Sequence, residues 1–216
     1  TWSNTASATT SSLATPACTA TPNSISQITL TWNSIPLATS YSVEYANNPS
    51  FTGSTIVPVS VSPQQFVLTG LTAGNTRYFR VYAIASGDIS DQCPTVQATT
   101  TVPPLTCLNT SGVATTSITA TWAACPSAVA DNYNVEYASN SSFTSSTIIP
   151  SVTGTSYTAT GLTQGKTYWF RVFAKVGSVS ATASPTASAT TTINTPTGVG
   201  ISTSIPGDVR AYASPV

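Results

Sequence analysis

The stretch Tyr41-Ser42-Val43-Glu44-Tyr45-Ala46 returns as Tyr133-Asn134-Val135-Glu136-Tyr137-Ala138. Large apolar side chains at every second position mark a strand buried on one face. The repetition extends outward on both sides. Trp32 returns as Trp122, Ser50-Phe51-Thr52 as Ser142-Phe143-Thr144, Gly70-Leu71-Thr72 as Gly161-Leu162-Thr163, Phe79-Arg80-Val81 as Phe170-Arg171-Val172, and Ala98-Thr99-Thr100 as Ala189-Thr190-Thr191, at offsets of 90 to 92 residues. A repeat of that length means tandem modules, each long enough to enclose its own core. It points away from a single catalytic centre.

Within each copy the strand signal dominates. Ile28-Thr29-Leu30-Thr31-Trp32 and Ile118-Thr119-Ala120-Thr121-Trp122 alternate apolar and polar, as do Phe66-Val67-Leu68 and Tyr157-Thr158-Ala159. Phe79, Val81 and Ala83 share one face, matched by Phe170, Val172 and Ala174. Turn clusters such as Asn47-Asn48-Pro49-Ser50, Thr72-Ala73-Gly74-Asn75 and Ser86-Gly87-Asp88 separate these runs. No helical periodicity stands out. About seven short strands in roughly 90 residues, with one early Trp, describe a β-sandwich.

Composition narrows the function. Only 6% of the 216 residues are charged, and six Lys and Arg balance six Asp and Glu, which leaves no electrostatic footprint for nucleic acid or an anionic membrane. About one residue in three is Ser or Thr, and there is no His and no Met. The chain opens on Thr1, so it is read as a mature or excised piece with no signal peptide in view. No apolar run of ~18 residues occurs, so no membrane insertion is expected in this window. The carboxylates Glu44, Asp88, Asp91, Asp131, Glu136 and Asp208 come without a His or Cys base or a Gly-rich loop. Asp88 and Asp91 share one loop but supply too few oxygens for calcium. No cofactor, no metal and no enzymatic activity are expected.

Trp32 and Trp122 on the second strand, Tyr41-Val43-Tyr45 and Tyr133-Val135-Tyr137 on the third, and Gly70-Leu71-Thr72 and Gly161-Leu162-Thr163 leading into Phe79-Arg80-Val81 and Phe170-Arg171-Val172 resemble fibronectin type III domains. These landmarks occur in order, twice. The resemblance implies an all-β chain of tandem seven-stranded sandwiches, fibronectin type III or immunoglobulin-like, with strands A, B and E facing C, F and G. Segment 1–12 then resembles the last strand of a preceding module. Modules follow at 13–101 and 106–192, joined by a stiff Pro-rich linker at 102–105. Segment 193–216 resembles the first strands of a further module. The alternative is that these ends complete neighbouring subunits by strand addition.

The resemblance also implies a Tyr tying the corner between strands E and F. Tyr168 fills that position in module two, whereas Arg77 fills it in module one. Placed on the implied sandwich, Cys18 and Cys93 lie at one end of module one, and Cys107 and Cys125 at the same end of module two. The expected disulfides are Cys18–Cys93 and Cys107–Cys125. A cross-module Cys93–Cys107 bond and four reduced thiols remain alternatives. Disulfides carry an extracellular or cell-surface localisation with them.

With Phe79 and Val81 inward, Tyr78, Arg80 and Tyr82 face outward on strand F, and Trp169, Arg171 and Phe173 repeat the row in module two. Glu44 and Glu136 face outward on the adjacent strand, so cross-strand pairs Glu44–Arg80 and Glu136–Arg171 are expected. One reading of the row is a self-contained stack that rigidifies the sheet. The other is a contact face for a neighbouring subunit, a glycan or a host surface. Sequons stand at Asn109-Thr110-Ser111 and Asn140-Ser141-Ser142. The functional expectation is a non-catalytic structural or adhesive segment of an extracellular fibre, stalk or surface protein, prokaryotic in source and self-associating. The alternative is an accessory spacer or glycan-binding module of a secreted carbohydrate-active enzyme.

Overall fold

The computed structural model describes residues 13–123, 130–195, 199–202 and 210–213. Every regular element among them is a β-strand. The chain divides into two compact units, with the main break between Pro103 and Pro104. In module one, β1 (Cys18–Pro22), β2 (Ile28–Trp32) and β5 (Gln65–Leu68) form one antiparallel sheet in the order β1-β2-β5. The facing sheet contains β3 (Ser40–Ala46), β4 (Thr55–Ser60), β6 (Thr76–Ala85), β7 (Asp88–Ile89) and β8 (Val96–Thr99). Its order is β4-β3-β6, with β7 and β8 both paired to β6.

Module two repeats this plan. β9 (Leu108–Ser111), β10 (Ser117–Trp122) and β13 (Ser156–Thr160) form the first sheet. β11 (Asn132–Ala138), β12 (Thr147–Val152), β14 (Thr167–Val176), β15 (Val179–Ser180) and β16 (Ala187–Thr190) form the second. β4 and β12 thus extend a sheet for which the resemblance implied only strands C, F and G. After module two, β17 (Val199–Ser202) pairs antiparallel with β18 (Arg210–Ala213). Residues 1–12, expected as a final strand, lie outside the described residues.

The period-two pattern builds the core directly. Ile28, Leu30, Tyr41, Val43, Phe79, Val81 and Ala83 are all fully buried in module one. Trp32 packs on Tyr41 with ring centroids 5.3 Å apart, and Trp122 on Tyr133 at the same distance. The outer strands β4 and β12 carry Pro58 and Pro150, which cannot donate to a further ladder. In β12 an irregularity places Pro150 and Ser151 between the pairs Tyr133–Val152 and Val135–Ile149. Ser151 N donates to Asn134 Oδ1 at 3.2 Å there.

The corner before β6 shows how the modules diverge. Arg77 pairs with Ala98 and Tyr168 with Ala189, so the two copies share one register. In module two Thr163 N donates to Tyr168 Oη at 3.1 Å, which ties the corner. Arg77 cannot do this. What both modules have is a buried threonine after the last strand. Thr100 Oγ1 donates to Thr72 O at 2.6 Å and accepts from Asn75 N at 2.9 Å. Thr191 Oγ1 donates to Thr163 O at 2.6 Å and accepts from Lys166 N at 3.1 Å. Thr100→Val should therefore cost module one about 1–3 kcal/mol, because Thr72 O and Asn75 N lose the buried hydroxyl that joins them and keep only their mutual 3.3 Å bond. Thr191→Val should cost module two less, since Tyr168 still holds its corner. Urea unfolding of both variants checks the order, and equal losses would remove the argument.

Cys18 and Cys93 form a disulfide with Cα atoms 6.1 Å apart, which leaves no Cys93–Cys107 bond. Cys93 also sits in the ladder: its N donates to Val81 O at 3.0 Å, and Val81 N donates to its Sγ at 3.3 Å. Ser184 makes the same two bonds with Val172 at 2.9 and 3.0 Å. At the other end, Cys18 faces Trp32 across the register, whereas Leu108, not Cys107, faces Trp122. Cys107 is exposed and forms no disulfide among the described residues. Its expected partner Cys125 lies outside them.

Candidate functional site

The side chains with the most chemistry lie on the outer face of the second sheet in each module. Glu44 on β3 stands opposite Arg80 on β6. Arg80 Nε donates to Glu44 Oε2 at 2.6 Å. In module two, Arg171 Nε donates to Glu136 Oε2, also at 2.6 Å. The other carboxylate oxygen is taken as well. Ser54 Oγ donates to Glu44 Oε1 and Ser146 Oγ to Glu136 Oε1, each at 2.5 Å.

The loop after β3 closes over this pair. Thr52 N donates to Asn48 Oδ1 at 3.1 Å, and Asn48 Nδ2 donates back to Thr52 O at 3.0 Å. Asn140 spans its own loop through Thr144 at 3.0 and 2.9 Å. Each Asn side chain thereby acts as a cross-piece that fixes a tight reversal. The reversal puts Phe51 at φ 55° and Phe143 at φ 54°, a left-handed conformation that costs a bulky residue about 1–2 kcal/mol. It lays each ring on a guanidinium. Arg80 Cζ lies 4.0 Å from the Phe51 centroid, and Arg171 Cζ lies 4.1 Å from that of Phe143. Tyr82 and Phe173 approach the same groups at 6.0 and 5.5 Å. Burial of the ring and the cation–π contact offset the backbone strain.

The result is a clamp of five residues present twice: Glu44, Asn48, Phe51, Ser54 and Arg80, then Glu136, Asn140, Phe143, Ser146 and Arg171. It joins two strands and the loop beyond them. The sequence places Tyr78, Arg80 and Tyr82, and Trp169, Arg171 and Phe173, on these faces, and all six are half-buried there. Glu44 and Glu136 are each only 5% exposed, because the loop carrying Phe51 or Phe143 covers them. Sequence reasoning missed Asn48, Phe51, Ser54 and their counterparts. The signal was a Phe in an otherwise polar loop, at the same spacing from Glu in both copies.

The electrostatics follow from the geometry. The Arg80 hydrogen bond, joined by Ser54 and Tyr82, holds the Glu44 carboxyl below its ordinary 4.5 against the opposing effect of burial. For Glu136 burial pushes upward most strongly, yet the bonds from Arg171 and Ser146 together outweigh it, so its pKa is also lowered. Both groups are depressed in the folded state. Their contribution to stability is therefore present above pH 4.5 and is lost as pH falls through each folded value. Such carboxylates are anionic and have both oxygens bonded, so they are poor proton acceptors for a substrate. The clamp holds structure together.

Module two has a family match. Residues 103–190 match the family model of the fibronectin type III domain. The described strands of module one follow the same pairing order, so the chain holds two tandem sandwiches of fibronectin type III form. Among solved structures, a two-domain fibronectin type III segment of chicken tenascin superposes with a TM-score of 0.63 at 20% identity, covering 82% of this chain and 99% of that one. The FN1–FN3 domains of chicken CNTN1 align at 16% identity over 83% of this chain and 68% of that one, with a TM-score of 0.40. No curated protein matches the chain in sequence. Tandem modules of this kind are typical of adhesion and structural proteins, and the fold by itself assigns no activity.

Proposed function

We propose that the chain is a non-catalytic structural or adhesive segment of an extracellular fibre, stalk or surface protein of prokaryotic source, built from sandwich modules joined head to tail. One observation carries this reading. Two of the six acidic and two of the six basic residues are committed to clamps of the same arrangement, one Glu–Arg pair inside each module. The chemistry that recurs between the copies fastens strands rather than facing a substrate. The Cys18–Cys93 bond favours an oxidising, extracellular location. Self-association or contact with neighbouring copies of such modules is the partner relation this reading expects. The full-length protein should form filaments or extended rods in negative stain. A full-length protein that stays monomeric and leaves no filaments would overturn the fibre reading.

A second reading is an accessory spacer or glycan-binding module of a secreted carbohydrate-active enzyme. The half-buried rings of Trp169 and Tyr82 beside the arginines favour it, because such rings stack on sugars. Glycan-array binding lost in Trp169→Ala and Tyr82→Ala supports this reading. Unchanged binding removes these faces from it.

A further inference from the structure

Arg77 is a cation turned toward the sandwich interior. It has the same parity on β6 as Phe79 and Val81, faces the buried Ala98 across the register, and is itself half-buried. Its Nη1 donates to Asn75 Oδ1, and to Thr76 O at 3.0 Å. Its Nε and Nη2 bond to no described residue, and no described carboxylate forms an ion pair with it. Module two needs no such charge at this place, since Tyr168 stands there and closes the corner.

Beside Arg77 lies a recess of about 160 Å³, lined also by Tyr45, Ala46, Asn47, Gly53 and Thr55. A guanidinium partly withdrawn from water without an anion is held at a cost, and its free N–H fork matches a carboxylate in shape. Asn47 and Thr55 add neutral polar groups on the same wall. We propose that this recess is a subsite for a carboxylate, held by the free edge of Arg77. Such a group could arrive on an acidic sugar or as a simple organic acid. The inference is independent of the fibre reading.

The test is an amide and guanidinium NMR titration of the full chain. Sodium acetate, sodium glucuronate and glucose are compared with sodium chloride at matched ionic strength. The expected result is saturable shifts at Tyr45, Asn47, Gly53, Thr55 and Arg77 Nε–H with acetate and glucuronate, and none with glucose. Arg77→Tyr, which installs the module-two residue, should keep a dispersed spectrum and weaken binding by at least about tenfold. Arg77→Gln gives a second uncharged variant if that one does not fold. Tighter binding of glucuronate than acetate identifies the sugar acid as the ligand; equal binding identifies the carboxylate alone. Undiminished binding in the uncharged variant, or no saturation by roughly 100 mM ligand, overturns the proposal.

Discussion

Cys18→Ala with Cys93→Ser should destabilise module one by about 4 kcal/mol and leave the transition of module two in place. The bond closes a separation of 75 residues, and the chain-entropy view assigns about 4 kcal/mol to a loop of that size. For a domain this small the melting point should fall by roughly 15–30 °C. Serine is the informative choice at Cys93. Ser184 occupies that place in module two and keeps both ladder bonds with Val172, so the variant removes the cross-link with little other damage. Calorimetry of the oxidised, reduced and substituted chains gives the measurement. The same bond has a mechanical consequence. Under tension the load bypasses the 75-residue separation, so reduction should lengthen the unfolded chain by about 250 Å in single-molecule pulling. Equal extensions before and after reduction would show that the bond carries no load.

Arg80→Met should cost module one about 3 kcal/mol at neutral pH, because it leaves Glu44 buried with its main partner gone. The Arg80 side chain is 23% exposed and that of Glu44 7%, so the loss should fall at the low end of the range for a broken buried pair. Arg171→Met should cost less. The Arg171 side chain is 34% exposed against 23% for Arg80, so its pair is better screened by solvent. The pH dependence separates charge from packing. Wild-type stability should fall as pH drops below 4.5, as Glu44 and Glu136 are forced to take protons. In Arg80→Met, Glu44 gives up its charge more readily, so the difference from wild type narrows in acid. Urea unfolding across this range provides the check. A neutral-pH loss below about 0.5 kcal/mol would place the pair among ordinary surface ion pairs.

Much of this was readable in the sequence, for a simple reason. A strand fixes side-chain direction with period two, so Phe79 and Val81 inward forces Arg80 outward, and Glu44 outward beside it follows from Tyr41 and Val43. The pairs Glu44–Arg80 and Glu136–Arg171 required no tertiary information beyond the neighbour relation of two strands. Phe51 and Phe143 were different. Their role depends on a left-handed backbone that propensity disfavours for a bulky residue, and on a loop held by Asn48 or Asn140. Only the folded loop shows that the aromatic cover comes from beyond the strand. The cysteines divide the same way. Cys18 and Cys93 follow from strand placement, whereas Leu108 in the register position of Cys18 moves Cys107 to an exposed site.

The sequence by itself determined the repeat, the all-β class, the inward faces and the opposition of Glu to Arg. These are local periodicities, written into the chain every second residue. Tertiary structure alone decided that an aromatic loop covers each Glu–Arg pair, that Thr100 holds the corner where Arg77 replaces tyrosine, and that no described carboxylate pairs with Arg77. Each of these depends on which loop closes over which strand, and that depends on contacts between residues far apart in the chain.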